Sequence, residues 1–441
     1  MGERSNVTRR DFLKTTGAAT VTAAAGAAFL GGAARARGAT AASAARVLGA
    51  NDRIQVAIVG VKGMGGGHIK HILEQMPGEN VSITAICDVW EQARLKANEA
   101  TKLPVDRVFT DHRRLLDAKD VDVVLVATPD HWHSRIAVAA LESGRHVYCE
   151  KPMTRYLDEA FDVLDASRKT GLKVQLGTQG CTEAKYLKAR ELVKSGVLGR
   201  LLWAQASYCR NNPQGEWNYE IDQAANETTV DWRQWLGPAK KRPWSPERYF
   251  RWRKYWDYGT GVIGDLLPHR LAPLMMAMNI EEYPETVSCI GGNLCDTDKG
   301  PDKDGKPYGE RREVADTQLV LVQFPSGTSF FLVSDTVNER GVEDVIRGHK
   351  ANITMGGGKV VLEPERPYSD DVERKDETAT DPEWSHANHV RNFLEALRGN
   401  EEQHAPVELG VRVQTIVSMA EKSYREGKLV RFDAGRRKMR T

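Results

Sequence analysis

The residues best placed to do chemistry in this sequence stand at the ends of apolar runs. Lys151 lies in Glu150-Lys151-Pro152, directly after His146-Val147-Tyr148-Cys149. A lysine at the end of a buried strand, held by a proline, is a placed charge rather than a solvated one. In a nucleotide-binding fold, strand ends are where ligands sit, so Lys151 is a candidate catalytic cation able to stabilise developing negative charge. Upstream, Gly60-Val61-Lys62-Gly63-Met64-Gly65-Gly66-Gly67 follows another apolar run. Against a G-x-G-x-x-G template, Gly60 and Gly65 take the first and third places. Lys62 occupies the second, where glycine normally lets the backbone approach a pyrophosphate; Gly63 beside it restores flexibility. Asp88 comes about 20 residues on, at the end of the next run, where a carboxylate binds the adenosine ribose hydroxyls. It also repels a 2′-phosphate, which favours NAD, whereas Lys62 acts the other way and leaves NADP open. Thr128-Pro129-Asp130-His131-Trp132-His133 ends a third run. Its two histidines have no acidic or cysteine partner to complete a ligand set, so no metal site is expected. The loop reads instead as one that packs against nicotinamide and ribose.

Alternating strands and helices must position these ends. Ile54 to Val59, Val81 to Cys87 and Val121 to Ala127 read as buried strands. Helical patterns start at His68 and run over Arg94 to Thr101 and Ser134 to Ser143, with Gly144 as a stop. That order implies a parallel sheet with crossover helices over about residues 52–173. After Val174 the pattern changes. A helix over Tyr186 to Ser195 and a strand over Leu201 to Arg210 precede strands at 286–290, 317–324, 328–336, 351–355 and 359–362. From Thr317 on, the short turns imply antiparallel hairpins. Helices follow over His386 to Arg398 and Leu409 to Glu426. The polar stretches from Asp296 to Glu313 and from Glu363 to Pro382 read as loops.

The chain has 441 residues, 28% of them charged, with a formal net charge of +2. Length allows two domains. Arg4, Arg9, Arg10, Lys14, Arg35 and Arg37 against Glu3 and Asp11 give residues 1–44 a charge of +4, which leaves the body at −2. Such a body offers no basic face to nucleic acid and suits a small-molecule partner. Thr8-Arg9-Arg10-Asp11-Phe12-Leu13-Lys14 and the Gly/Ala-rich stretch after it fit a twin-arginine signal, with cleavage near Ala42-Ser43-Ala44 or Ala34-Arg35-Ala36. The expectation is a signal peptide over 1–44, engagement of the twin-arginine translocase, and a periplasmic or extracellular protein. An alanine-rich tail or an uncleaved anchor are the rival readings; weakly apolar Ala and Gly make a stable membrane anchor the poorer one. None of the six cysteines forms a CxxC pair, and a Cys289–Cys295 disulfide is a minor alternative.

Together, the loop at Gly60, Asp88, Thr128 to His131 and Glu150-Lys151-Pro152 resemble the Gfo/Idh/MocA family of glucose–fructose oxidoreductase and inositol dehydrogenase. Gly177-Thr178-Gln179, Ser195-Gly196-Val197-Leu198-Gly199, Trp235-Leu236-Gly237-Pro238 and Trp256 to Asp265 extend the likeness over almost all of the chain after the leader. The resemblance implies an α/β fold: a Rossmann dinucleotide-binding domain, here 52–173, then an α/β domain with an open, mainly antiparallel sheet, here 174–432. It implies that Gly60, Lys62, Gly63, Met64, Gly65, Asp88, Thr128, Pro129, His131, His133, Glu150, Lys151 and Gln179 bind the nucleotide. It further implies a catalytic set of Lys151 with Asp265 and His269, the pair in Asp265-Leu266-Leu267-Pro268-His269. Four apart, that pair shares one face of a helical turn. Leu267 stands where the family often has glycine, and Ala272 where it often has an acid. A helix-cap or core histidine is the rival reading of His269.

The expected reaction is hydride transfer between nicotinamide and a carbinol carbon of a sugar or polyol. His269 would be the base, Lys151 would bind the same oxygen, and Asp265 would orient His269 or bind a neighbouring hydroxyl. The resemblance also allows a cis bond before Pro152. Export implies a retained cofactor, regenerated in place by a second substrate or by a glycosidase cycle of oxidation, elimination and re-reduction. A binding protein without chemistry is the alternative of another class. Seven of the ten tryptophans fall between Trp203 and Trp256, near Arg251 and Arg253; they suit sugar stacking or the anchoring of a loop or subunit contact. The open sheet implies a homodimer or homotetramer.

Overall fold

The computed structural model describes residues 53–76, 78–295, 311–380 and 385–441. The expected leader at 1–44 and most of the loop expected from Asp296 lie outside the described residues.

The first half runs β1 (Ile54–Val59), α1 (Met64–Lys70), β2 (Val81–Cys87), α2 (Glu91–Thr101), β3 (Val108–Phe109), α3 (His112–Leu116), β4 (Val123–Val126), α4 (Asp130–Glu142), β5 (His146–Glu150), α5 (Leu157–Thr170) and β6 (Val174–Gly177). The strands form one parallel sheet in the order β3-β2-β1-β4-β5-β6. Every residue of β4 and β5 is buried, as strands covered by helices on both faces require. The chain reverses direction across the sheet between β1 and β4, and the crevice at that switch point is where such sheets take ligands. The sheet includes β6, four residues beyond the boundary expected at 173.

The second half runs α6 (Ala184–Lys194), β7 (Leu201–Cys209), α7 (Trp232–Leu236), α8 (Pro246–Phe250), α9 (Gly261–Asp265), α10 (Pro268–Ala277), β8 (Thr286–Gly292), β9 (Thr317–Gln323), β10 (Ser329–Asp335), β11 (Asp344–Gly348), β12 (Ala351–Gly356), β13 (Lys359–Pro364), β14 (Lys375–Thr378), α11 (His386–Arg398), α12 (Val407–Glu426), β15 (Val430–Asp433) and β16 (Lys438–Arg440). Its sheet has the order β14-β13-β12-β11-β7-β10-β9-β8-β15-β16 and is antiparallel except where β10 pairs with β7. Alternate residues face inward: Ala204, Ala206, Val320, Val322, Phe330 and Leu332 are buried under α6, α10 and α12. Their neighbours on the other face stay open, with Leu321 57% and Ile290 66% exposed. The polar stretch expected as a loop from Glu363 instead contains β14, which pairs with β13 from Leu362↔Lys375 to Lys359↔Thr378. A charged edge strand of this kind carries no apolar alternation to betray it and guards the sheet against further pairing.

A buried ion pair ties the halves together. Arg155 donates from Nη1 and Nη2 to the two carboxylate oxygens of Glu421 on α12, at 2.7 and 2.9 Å, and from Nε to the Trp256 carbonyl at 2.8 Å.

Candidate active site

The ends of β1, β2, β4 and β5 open on one cavity of about 630 Å³, walled by Gly60, Lys62, Gly63, Met64, Asp88, Thr128, Pro129, Glu150 and Lys151 among others. The glycines divide the work. A Cβ on Gly60 would stand 2.6 Å from the Ala127 carbonyl oxygen, and one on Gly65 would stand 1.7 Å from that of Gly60. Both therefore serve close packing of the turn and α1 against the strands. Gly63, at φ +58, has no atom within 4 Å of a would-be Cβ. It supplies the open backbone that the template expects one place earlier. Lys62 is free to hold that place because its side chain leaves it: Nζ lies over the rings of Trp90 and Phe250, at 4.4 and 4.1 Å.

Asp88 accepts the Val61 N–H at Oδ2 and the Trp90 N–H at Oδ1, both at 2.9 Å. These bonds fix the carboxylate between the glycine turn and α2, and each oxygen keeps a lone pair for a ribose hydroxyl. Burial raises its pKa against those two amides. Glu150 anchors rather than reaches: its Oε1 lies 2.7 Å from His68 Nε2 in the first sheet's core. Burial opposes its ionisation, but His68 and Lys151 outweigh that and hold it at about 2.

Four expected nucleotide ligands do not line this cavity. Gly65 packs inside the turn. His131 Nε2 meets the Trp235 carbonyl at 2.9 Å. His133 faces the Pro152 and Thr128 carbonyls at 2.7 Å each, clamping the ends of β4 and β5 together. Burial holds both rings below the ordinary imidazole value. Gln179 is buried in the turn before α6, where Gly180 lies against the His269 carbonyl and Pro273.

At the catalytic end, Asp265 is a hub. Its Oδ1 accepts from Lys151 Nζ at 2.7 Å and from Arg253 Nε at 2.9 Å; its Oδ2 accepts from Trp217 Nε1 at 3.0 Å. Lys151 Nζ also donates to the Asp265 carbonyl at 2.8 Å. Two of the three ammonium protons are thereby directed, and one remains for a substrate oxygen. Burial disfavours the Asp265 anion, but Arg253 and Lys151 together overcome it and hold the carboxyl far below the usual range. The Lys151–Pro152 peptide is cis. His269 follows on α10, with its ring stacked on Tyr208 at 5.3 Å between centroids. Burial, then Lys151, pushes it well below its ordinary value, so the imidazole is neutral at physiological pH. Beyond Asp265 lies a second, polar cavity of about 690 Å³, lined by Lys185, Tyr208, Arg210, Arg270 and Asp344 among others. Arg210 reaches from it to within 4.0 Å of Asp265 Oδ2.

Two members of this hub, Arg253 and Trp217, were not assigned to the site from sequence. Arg253 carried a weak signal as a cation among clustered aromatics. Those aromatics form a wall. Trp232 and Trp235 stack at 4.7 Å, Trp90 meets Tyr249 and Phe250 edge-on, and Tyr249, Phe250, Trp235 and Trp252 line the nucleotide-side cavity. The segment is pinned to the first half by backbone bonds from Glu91 to Thr229 and from Asp231 to Val89, at 2.9 and 3.0 Å.

Residues 54–178 match the model described as the oxidoreductase family's NAD-binding Rossmann fold, and 190–432 match its C-terminal alpha/beta domain. The chain belongs to the Gfo/Idh/MocA oxidoreductase family. Its first domain is thus an NAD-binding Rossmann domain, and the open Gly63 backbone, Asp88 and Lys151 on the cavity wall fit a dinucleotide. Among curated relatives, an alpha-N-acetylgalactosaminidase of Shewanella oneidensis is 27% identical over 284 residues, 62% of this chain and 56% of that protein. A glycosyl hydrolase family 109 protein of Shewanella pealeana is 27% identical over 237 residues, 52% of this chain and 45% of that protein. The chain thus spans about half the length of these relatives. Among solved structures, the WlbA dehydrogenase of Bordetella pertussis, in complex with NADH and UDP-GlcNAcA, superposes with a TM-score of 0.62 at 19% identity, covering 86% of this chain and 99% of that one. A levoglucosan dehydrogenase in complex with NADH and L-sorbose gives 0.64 at 17% identity, covering 86% and 98%. At these identities the likeness establishes the fold.

Proposed function

We propose that this protein is an exported NAD(P)-dependent oxidoreductase that transfers a hydride between nicotinamide and a carbinol carbon of a sugar or polyol. The observation that carries this reading is the aimed ammonium of Lys151, held by Asp265 at the wall of the nucleotide cavity. Nicotinamide bound there supplies the hydride acceptor. Lys151 donates its remaining proton to the reacting oxygen and stabilises the alkoxide as it forms. The neutral ring of His269 takes the hydroxyl proton. Asp265 orients Lys151 through two bonds, a task different from the expected orientation of His269. Asp88 favours NAD over NADP by repelling a 2′-phosphate.

The twin-arginine motif supports export, and export supports a retained cofactor, since nucleotide lost outside the cytoplasm is not replaced. The aromatic wall over the cavity fits retention. Protein purified without its leader should release one nucleotide per chain on denaturation; repeated isolation of folded, empty protein would count against retention.

A second reading, a glycosidase that oxidises, eliminates and re-reduces within one site, is favoured by the names of the curated relatives. Two additions to the holoprotein separate the readings. Free sugars that raise the reduced-nicotinamide absorbance support net oxidation. Release of alcohol from methyl and nitrophenyl α-N-acetylgalactosaminides, with no net reduction, supports the cycle. Nucleotide-loaded protein inert to both would leave only a binding role.

A further inference from the structure

Hydride transfer at a hydroxyl needs one proton shuttle. Cleaving a glycoside through the same oxidation needs another, because the departing oxygen must be protonated as its bond breaks. The cavity contains a carboxyl that the hydride step leaves unused. Asp130 opens α4 at the end of the β4 loop, is 3% exposed, and lines the cavity with Lys151 and Arg253. No other described residue hydrogen-bonds its carboxyl. A buried carboxyl that accepts no hydrogen bond from a neighbouring residue resists ionisation, and the nearby Asp265 anion adds to that resistance. Arg253, Lys151 and Arg155 pull the other way. Burial prevails and the group titrates at about 8, so it carries a proton at neutral pH. A kept proton, inside the cavity and beside the catalytic lysine, is what a general acid requires.

We propose that Asp130 is the acid that protonates the glycosidic oxygen of a glycoside bound at the Lys151 end of the cavity. The proposal rests on the glycosidase reading. In the step, His269, having released the hydroxyl proton to water, takes the proton from the carbon next to the new carbonyl. That C–H electron pair becomes a C=C bond. The pair of the breaking C–O bond leaves with the oxygen, which receives the Asp130 proton. Water then adds across the double bond: its hydroxyl joins the vacated carbon, its proton returns to Asp130, and His269 gives its proton back to the neighbouring carbon. The elimination and addition change no oxidation state overall; the nicotinamide supplies the oxidation before them and the reduction after.

Asp130→Asn keeps the shape and a donor but has no acidic proton. The first readout is independent of turnover. Infrared difference spectra of holoprotein, wild type minus D130N, should show a protonated-carboxyl band that fades as pH rises through about 8. The second compares the two glycosides above. Nitrophenolate leaves without help, so D130N should lose under about tenfold on that substrate but about 10²- to 10⁴-fold on the methyl glycoside. Solvent deuterium should still enter the sugar at the carbon next to the oxidised one. Equal losses on both glycosides, a weakened hold on nucleotide without leaving-group dependence, or wild-type spectra with no carboxyl titrating in that range would each overturn the role of Asp130. Wild-type protein that oxidises sugars but cleaves neither glycoside would instead overturn the glycosidase reading, and the proposal with it.

Discussion

Asp265 concentrates the electrostatics of the site, since Lys151, Arg253 and Trp217 all converge on one carboxylate. Removing that charge leaves two cations facing each other in a largely buried site, and breaking a buried pair from one side costs about 3–5 kcal/mol. Asp265→Asn should therefore lower the melting temperature as well as turnover. The sign of the pH effect follows from the depressed carboxyl. The stabilisation is fully present above the unfolded carboxyl value near ~3.9 and is lost only as pH falls through the much lower folded one. D265N should thus be less stable than wild type across neutral and mildly acidic pH, with the gap closing only in strong acid. A gap that closed already near pH ~6 would show that Asp265 is not held as an anion by its neighbours. The meeting of Lys151 with Asp265 was legible in the sequence because their motifs are local. Arg253 and Trp217 were not, because their approach to Asp265 depends on how residues 210–260 lie across the cavity. Lys62 departs from the glycine template, and the compensation by Gly63 is legible in the sequence; the packing of the Lys62 side chain over Trp90 and Phe250 is not, because those rings come from distant segments.

At the scale of elements, the joint between α12 and the segment after β5 ties the strand end that carries Lys151 to the second domain. Arg155 is 2% exposed and bonded to Glu421 through both ends of its guanidinium. Glu421→Ala strands that cation and should cost about 3–5 kcal/mol, seen as a lower chemical-denaturation midpoint. The double variant with Arg155→Met should recover part of the loss; a Glu421 variant as stable as wild type would mean that the joint does not depend on the pair. β1, β2, β4 and β5 of the first sheet were readable as apolar runs, β1 and β2 to the residue, because helices cover both faces; the short β3 and β6 were not read. β14 was not, since Lys375-Asp376-Glu377-Thr378 has the polarity of a loop and becomes a strand only through β13. The two histidines of the β4 loop were placed at the right turn, but their rings serve the carbonyls behind it. Spacing alone cannot tell which way a side chain turns.

For the whole molecule, the open face of the large sheet is the surface hardest to leave in water. Leu321 and Ile290 are largely exposed on the sheet face that also carries Trp203, whose ring holds the Arg347 guanidinium at 3.8 Å. Apolar side chains exposed on an open sheet face are normally covered, and a homodimer or homotetramer through this face is the proposed cover. Leu321→Arg should dissociate it, and light scattering that finds wild-type monomer at micromolar concentration would refute it. Dimer or not, the proposed reaction depends on hydride chemistry at Lys151. The most direct measurement offers holoprotein a panel of sugars deuterated at their carbinol carbons and reads the released nucleotide by mass spectrometry. Wild type should yield a nucleotide heavier by one deuterium, and Lys151→Met an unlabelled nucleotide, still bound one per chain. Label transfer at the wild-type rate in Lys151→Met would contradict the role given to that lysine, and bound nucleotide that never takes label from any sugar would contradict the reaction itself.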